Sequence, residues 1–452
     1  MSECNKKFKY TLIVGLKRAF KYDNMDSQGE VSMSLCDSLL NFYKSITPQT
    51  VKNFVPIFDY FRKRKNKPPI PIRERLCEVP YPDLGDKVVM LHGVSVGEII
   101  SLENLIKKIK SEFPEYKIAL TTGTVTGQDI AKKKYGEIVD FITYFPLDVY
   151  ESCRRFVKKL SPSIILIAET EIWPNFAEVC KERKIPLYII NGRISDESYK
   201  SYLKFKNFLK PALRKYSAIY CQSEVDKDRF IAIGADPKVC SVMKNLKFEI
   251  SKKECDIDLK AGDAKVLIAG STHKGEEEIV LKVYNQLKSK IIDLKLILAP
   301  RHNNRIDEVE KVLQKTNFKY GLRTKNATFE NNDIVVIDTL GELSKLYALA
   351  DVAFIGGSFN KTGGHNPLEA TIYSKPAVSG PSIKNFRDIY VILQREKAAY
   401  IVKDEVDMGR VLKSLLLESG AYNQATEGCE KCIQDQQGAL EFVVGKLKEI
   451  LK

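Results

Sequence analysis

The sequence predicts an α/β protein made of two doubly wound, Rossmann-like domains. Short apolar runs alternate with amphipathic stretches long enough to be helices, as in parallel strands joined by helical crossovers. One polar stretch, Glu249 to Lys265, interrupts this alternation, which then resumes. At 452 residues the chain is long enough for two full cores. Its 44% apolar and 29% charged residues are ordinary for a globular protein.

Residues 1–80 differ from the rest in composition. In "TPQTVKNFVPIFDYF", Thr47 is placed to cap a helix with Pro48 at its first position. Val51, Phe54, Val55 and Phe58 would share a face, and Pro56 should break or kink the helix. The basic run "RKRKNK" follows. Two roles fit: contact with an anionic membrane surface, or a helix packed on the body with a solvated charge run behind it.

The strand-like runs "KVVMLHG", "KIALTTG", "DFITYF", "SIILIAE", "PLYIING" and "SAIYCQS" mark a first domain, residues 81–250. A linker, 251–264, leads to a second, 265–452, with "VLIAGS", "LKLILAP", "DIVVID", "VAFIGGS", "PAVSG" and "AAYIV", closing on the helical "GALEFVVGKLKEILK". Open parallel sheets bind ligands beyond the carboxyl ends of their strands. The expected active site is therefore the cleft between the two domains.

A net charge of +14 suits a polyanionic partner. Ten scattered cysteines read as reduced thiols, and the single C-x-x-C, Cys429 to Cys432, has no second pair to complete a zinc site. No apolar run reaches the roughly 18 residues of a transmembrane helix. The apolar patch near the start is too short for a signal peptide, and Glu3, Asp23 and Asp26 argue against a transit peptide. There is no G-x-G-x-x-G. The loop "IGGSFNKTGGHNPLEA" is not a P-loop, because Asn360 stands where glycine should precede Lys361. Asp256 and Asp258 lie in the polar linker and read as linker, not as a metal site.

The unusual residues gather at strand ends. Of four histidines, His92, His273 and His302 lie at or just past predicted strands, and His365 lies in the glycine-rich loop. They are too dispersed to imply a metal by spacing. In "HGVSVGE", Gly93 and Gly97 permit close backbone approach to a ligand, and Glu98 falls in a helix's first turn. Glu98 is either a general base or a capping carboxylate. In "IAETEIWPN", Glu169 and Glu171 would face one side of a strand and need a cation, for which Arg193 and Lys247 are candidates. A structural ion pair is the alternative. Ser271, Thr272 and the N–H groups of "GSTHKGEEE" suit an anion, as does Arg301 in "APRH". Gly341 and Glu342 begin another helix. Asn366 is placed to cap a helix at Pro367, with Glu369 in its first turn for ribose hydroxyls.

Taken in order, "HGVSVGE", "TGTVTG", "ETEIWPN", "NGRIS", "AGSTHKGEEE", "APRH", "LGEL…YALADVAFIGGS" and "GGHNPLEA" resemble the motifs of bacterial 3-deoxy-D-manno-octulosonate (Kdo) transferases of lipopolysaccharide synthesis. The resemblance spans about Arg73 to Val402. It implies a GT-B architecture and inverting transfer of Kdo from CMP-Kdo to a lipid A precursor, lipid IVA. It implies Glu98 as general base, with Glu169 and Lys247 assisting the transition state. Donor binding would fall to Pro300 and Arg301; Leu340, Gly341 and Glu342; and Asn366, Pro367, Leu368 and Glu369, with Ser271 and His302 beside them. No metal or cofactor is expected, since CMP-Kdo has no pyrophosphate to chelate one. The expected setting is peripheral, on the cytoplasmic face of the inner membrane, with no nucleic-acid partner. The chain departs from the family pattern in its N-terminal segment, which is amphipathic and basic where a hydrophobic anchor is usual. It also has Met243-Lys244 before Asn245 in place of glycine, Glu249 for aspartate, Gly93 for alanine and Leu340 for methionine. The rivals are a GT-B enzyme using another nucleotide sugar, and a non-enzymatic basic protein binding membrane or nucleic acid on the same scaffold.

Overall fold

A computed structural model describes residues 33–64 and 69–451. The N-terminal apolar patch, most of the basic run after Arg64, and the side chains of Phe54 and Phe58 lie outside the described residues. The chain divides into one unit of residues 1–249 with 438–452, and a second of residues 250–437.

The first unit is built on seven parallel strands: β1 (Val88–Gly93), β2 (Lys117–Thr122), β3 (Phe141–Tyr144), β4 (Ile164–Ala168), β5 (Leu187–Gly192), β6 (Ala218–Cys221) and β7 (Cys240–Val242). Their order is β3-β2-β1-β4-β5-β6-β7, so the winding reverses at β1. Alternation along each strand feeds two cores: Val88 and Met90 of β1 enter one, Val89 and Leu91 the other.

The helix Met33–Arg64 runs through Pro48 and Pro56 without ending. The predicted start at Thr47 and break at Pro56 are not observed. Thr47 donates its hydroxyl back to the Lys44 carbonyl at 3.2 Å, so it is a helix-interior residue and not a cap. Leu40, Tyr43, Thr47 and Val51 are buried at helical spacing. Tyr43 donates to Asp148 at 2.9 Å and meets Phe208 edge-on. This docking holds the helix on both sides of Pro48 against the hydrogen bond that proline cannot make. Over Leu40–Val51, then, the helix is packed on the body, while its last turn carries Arg62, Lys63 and Arg64. Among the described residues no helix is long and apolar enough to cross a membrane.

The second unit holds β8 (Val266–Thr272), β9 (Lys295–Pro300), β10 (Tyr320–Leu322), β11 (Ile334–Val336), β12 (Val352–Ile355), β13 (Ala377–Ser379) and β14 (Ala399–Ile401), all parallel. The order is β10-β11-β9-β8-β12-β13-β14, with the reversal at β8. Residues 251–264, predicted as a linker, fall in this unit, where Ile257 and Leu259 are buried. Asp256 pairs with Lys345, and Asp258 accepts from the Lys260 N–H. The last helix, Ala439–Ile450, does not join this unit. It packs on the helix Glu103–Glu112 of the first, burying Ala439, Val443, Val444 and Leu447. Its single apolar stripe says that it packs, not on which sheet.

Candidate active site

In the first unit, β1 leads into the helix Val96–Ser101, capped by Ser95. The Ser95 hydroxyl accepts from Glu98 N–H at 3.3 Å and donates to Glu98 Oε1 at 2.8 Å, while Glu98 Oε2 accepts from Val94 N–H at 2.7 Å. This is a capping box reaching one residue further back than usual, so Glu98 does cap its helix. It is also only 6% exposed. Burial, then the charges of Glu169 and Glu171, push its carboxyl up to about 8 against the pull of those two hydrogen bonds. A carboxyl so placed can release and take up a proton near neutral pH, which an exposed cap cannot. Gly93 serves the fold here, whereas a Cβ on Gly97 would meet only the Ser95 hydroxyl, at 3.9 Å. A Cβ on Gly93 would meet Ile99 Cδ1 at 3.0 Å and Glu98 Cβ at 3.3 Å, so Gly93 seats the helix against its strand and not a ligand against the backbone.

Beyond the neighbouring strand, the predicted same-side pair of carboxylates is corrected. β4 ends at Ala168, and Glu169 has left-handed backbone (φ +60°), so strand alternation no longer applies. Glu171 turns into the interior, 2% exposed, while Glu169 Oε1 accepts from Lys247 Nζ at 3.1 Å. Burial pushes the Glu169 carboxyl up, but the Lys247 ammonium and then the Arg193 guanidinium outweigh it and hold it below the ordinary range. Lys247 is itself positioned: Asn245 Oδ1 accepts its N–H at 3.0 Å, and Asn191 Oδ1 accepts that of Leu246 at 3.0 Å. Of the four histidines, His92 does not face solvent. It is buried, 2.9 Å from Thr121 Oγ1 and stacked 4.1 Å from Phe145, and burial pushes it down to about 3, so it is a neutral core residue. A groove of about 680 Å³ lined by Lys206, Lys210, Arg214 and Asp236 opens at the amino ends of β6 and β7, away from this cluster.

The second unit also gathers its unusual residues at carboxyl ends. Ser271 is nearly buried, with φ +56°, where the β8–β9 register slips. Pro300 ends β9, and the Arg301 N–H donates to the Thr272 carbonyl at 2.9 Å, leaving the guanidinium and His302 exposed. Leu340 stands 83% exposed beside Gly341 (φ +83°), and Glu342 accepts from the Thr339 hydroxyl. Asn366 Oδ1 accepts from Leu368 N–H at 3.1 Å. The short helix Leu368–Thr371 begins one residue later than predicted, with Pro367 at its cap. Burial pushes the Glu369 carboxyl up, opposed by Lys253 and Arg301.

The glycine-rich loop holds an anion, and it is the protein's own. Glu276, 1% exposed, accepts from the N–H groups of Gly357 at 2.6 Å, Ser358 at 2.8 Å, Phe359 at 2.9 Å and His273 at 2.9 Å. The N–H groups predicted to cradle a ligand anion are thus partly taken. Glu277, also buried, accepts from Arg305 at 3.0 and 3.2 Å. The loop glycines make room for the chain itself: a Cβ on Gly356 would stand 2.4 Å from the Ser271 carbonyl oxygen, and one on Gly357 2.9 Å from His365 Cδ2. His365 is thereby held with its Nε2 2.9 Å from Nε2 of His273, the rings 11° from parallel, and His302 lies edge-on to His273 at 5.5 Å. Among the described residues, no group of three or more His, Cys, Asp or Glu is arranged to hold a metal ion.

The profile of a family described as 3-Deoxy-D-manno-octulosonic-acid transferase (kdotransferase) matches residues 71–250. The chain is 32% identical over 373 residues to the 3-deoxy-D-manno-octulosonic acid transferase of Haemophilus influenzae, covering 80% of this chain and 87% of that protein. The chain belongs to the Kdo transferase family. It is also 35% identical over 360 residues to a bifunctional glycosyltransferase/methyltransferase of Fusobacterium nucleatum, covering 76% of this chain but only 55% of that longer protein. A Kdo transferase is a glycosyltransferase, and the two parallel-sheet units have the GT-B fold. The crystal structure of Acinetobacter baumannii MurG superposes with a TM-score of 0.52 at 13% identity, over 80% of this chain and 99% of that one. In this Kdo transferase the first unit brings Glu98, Glu169 and Lys247 to one sheet end, and the second does the same for Arg301, His302, Leu340 and the Asn366–Glu369 turn. The motifs did not single out Glu276 as the occupant of the loop, nor the contact between His273 and His365.

Proposed function

We propose that this Kdo transferase takes Kdo from CMP-Kdo and passes it to a hydroxyl of the lipid A precursor lipid IVA, inverting the anomeric centre. Glu98 accepts the proton of the attacking hydroxyl. Glu169 and Lys247 supply a fixed charge pair beside it, so little reorganisation is needed as charge develops. Arg301, Leu340 to Glu342 and Asn366 to Glu369 hold the nucleotide, with Ser271 and His302 nearby, and no metal or cofactor takes part. The carrying observation is Glu98: a buried carboxyl held near 8, beside a carboxylate that Lys247 keeps ionised. The test is to incubate the purified full chain with CMP-Kdo and lipid IVA and measure CMP release and the mass of the product. A lipid heavier by one or more Kdo units supports the proposal. Turnover of a UDP-sugar with none of CMP-Kdo favours the rival glycosyltransferase and overturns it.

The same proposal sets the enzyme peripherally on the cytoplasmic face of the inner membrane. The basic last turn of the helix Met33–Arg64, beyond its packed half, supports this. Changing Arg62, Lys63 and Arg64 together to glutamate should lower flotation with anionic vesicles; unchanged flotation sinks the idea.

A further inference from the structure

The nest of N–H groups in the glycine-rich loop is filled by Glu276, and Arg305 is held by Glu277 and Glu308. An incoming anion at the carboxyl end of β8 and β12 therefore meets Arg301 and the imidazoles of His273, His302 and His365. A hydrogen bond between two Nε2 atoms needs one ring to donate and the other to accept. The pair thus holds a single proton between its facing nitrogens, and His302 lies against it. The histidines are also fixed from behind: Glu276 grips both the His273 and the Gly357 N–H, and any residue larger than glycine at 357 would strike the His365 ring.

We propose that His273 and His365 form a proton-accepting subsite for the donor's phosphate, taking up one proton when that phosphate binds and delivering it to the phosphate as it leaves. This rests on the proposed use of a CMP-linked donor. In the reaction the acceptor oxygen bonds to the anomeric carbon of Kdo while its proton passes to Glu98. The bond from that carbon to the phosphate oxygen breaks, the electron pair stays on this oxygen, and the added charge is met by the proton from the imidazolium. The pair ends neutral and Glu98 protonated.

The surroundings set the direction of titration. Without an anion, burial pushes His365 down to about 4, helped by Arg301, His273 and His302. Burial likewise lowers His273, against Glu276 and with His302 and Arg305, while Glu277 opposes. Both rings are then neutral near pH 7. A phosphate at the pair reverses the balance, since an opposite charge in contact favours the protonated ring.

Calorimetric titration of CMP into the full chain at about pH 7.5, in buffers of different ionisation heat, counts the protons taken up on binding. Wild type should take up close to one. His273→Gln and His365→Gln should each take up less than about half of that and bind CMP about tenfold more weakly. Should either variant fold poorly, 15N spectra of the wild-type imidazoles read the same event, with buried His92 as an internal reference. CMP should move two or more of the other three resonances toward the imidazolium position. CMP binding with no proton uptake, or uptake with unmoved imidazole resonances, overturns the histidine subsite and leaves the CMP-Kdo proposal standing. Binding of UDP but not CMP overturns both.

Discussion

Glu98→Gln separates the chemistry of this carboxyl from its capping. The amide can still accept from the Val94 N–H through oxygen and donate to the Ser95 hydroxyl through nitrogen, so the helix start should survive. The proton is what the variant loses. The folded carboxyl titrates at about 8 against an ordinary 4.5, so the folded state binds this proton more tightly than the unfolded chain. Its stabilisation is fully present below about pH 4.5 and is lost as pH rises through about 8. A difference of one bound proton between the two states changes stability by about 1.36 kcal/mol for each step of one in pH, so between about pH 6 and pH 9 the loss should be on the order of 2–3 kcal/mol. Urea melts at several pH values read it directly. Wild type should weaken over that range, and the glutamine variant should weaken less by that amount. In the transfer assay, wild-type kcat/KM should climb with pH, reach half its maximum near 8 and level off about one unit higher, because only the carboxylate accepts a proton. The variant should lose about 10²- to 10⁴-fold in kcat. A variant with more than about a tenth of wild-type kcat would refute the base assignment, and parallel pH-stability curves would refute the raised carboxyl.

Three further changes probe the rest of the site. Lys247→Met leaves Glu169 beside Glu98 and Glu171 without its ammonium; kcat should fall about 10²-fold, with partial rescue by Lys247→Arg, and a kcat within threefold of wild type would count against a role. Leu340→Ala should leave stability within about 0.5 kcal/mol of wild type, because the side chain is 83% exposed, yet weaken CMP binding several-fold; unchanged affinity by calorimetry removes it from the donor site. Glu276→Gln offers one carbonyl oxygen and a competing donor where a carboxylate accepts from four N–H groups. It should cost about 2–4 kcal/mol in a denaturant melt and abolish CMP binding, and an unchanged midpoint would mean the loop does not depend on it.

Twelve strand-like runs in the sequence correspond to strands of the two sheets, because strands buried on both faces must be nearly continuous apolar runs. The two strands with no such signal, β7 and β10, are three-residue edge strands with one buried position each, whereas β14, an equally short edge strand, stands out because buried Ala398 and Val402 flank it. Single-chain signals misled where tertiary packing decided the outcome. Pro56 reads as a helix end, yet the helix, docked through Leu40, Tyr43 and Val51, runs on past it to Arg64. Glu169 and Glu171 read as a same-side pair, yet Glu169 itself takes left-handed backbone just past β4, which breaks the alternation. The glycine-rich loop shows the limit most clearly. Its glycines, its place after β12 and its mismatch to a P-loop were legible, but the anion its N–H groups hold was not. The anion in the cradle comes from "KGEEE", where three adjacent glutamates look alike in sequence and only helix phase distinguishes them. Glu276 points into the loop, Glu277 turns to Arg305, and Glu278 is exposed. A loop whose N–H groups are already bound to a buried carboxylate is a rigid frame, and under the proposal the charge that meets the donor phosphate then comes from Arg301, just after β9, and from the proton that the histidine pair takes up.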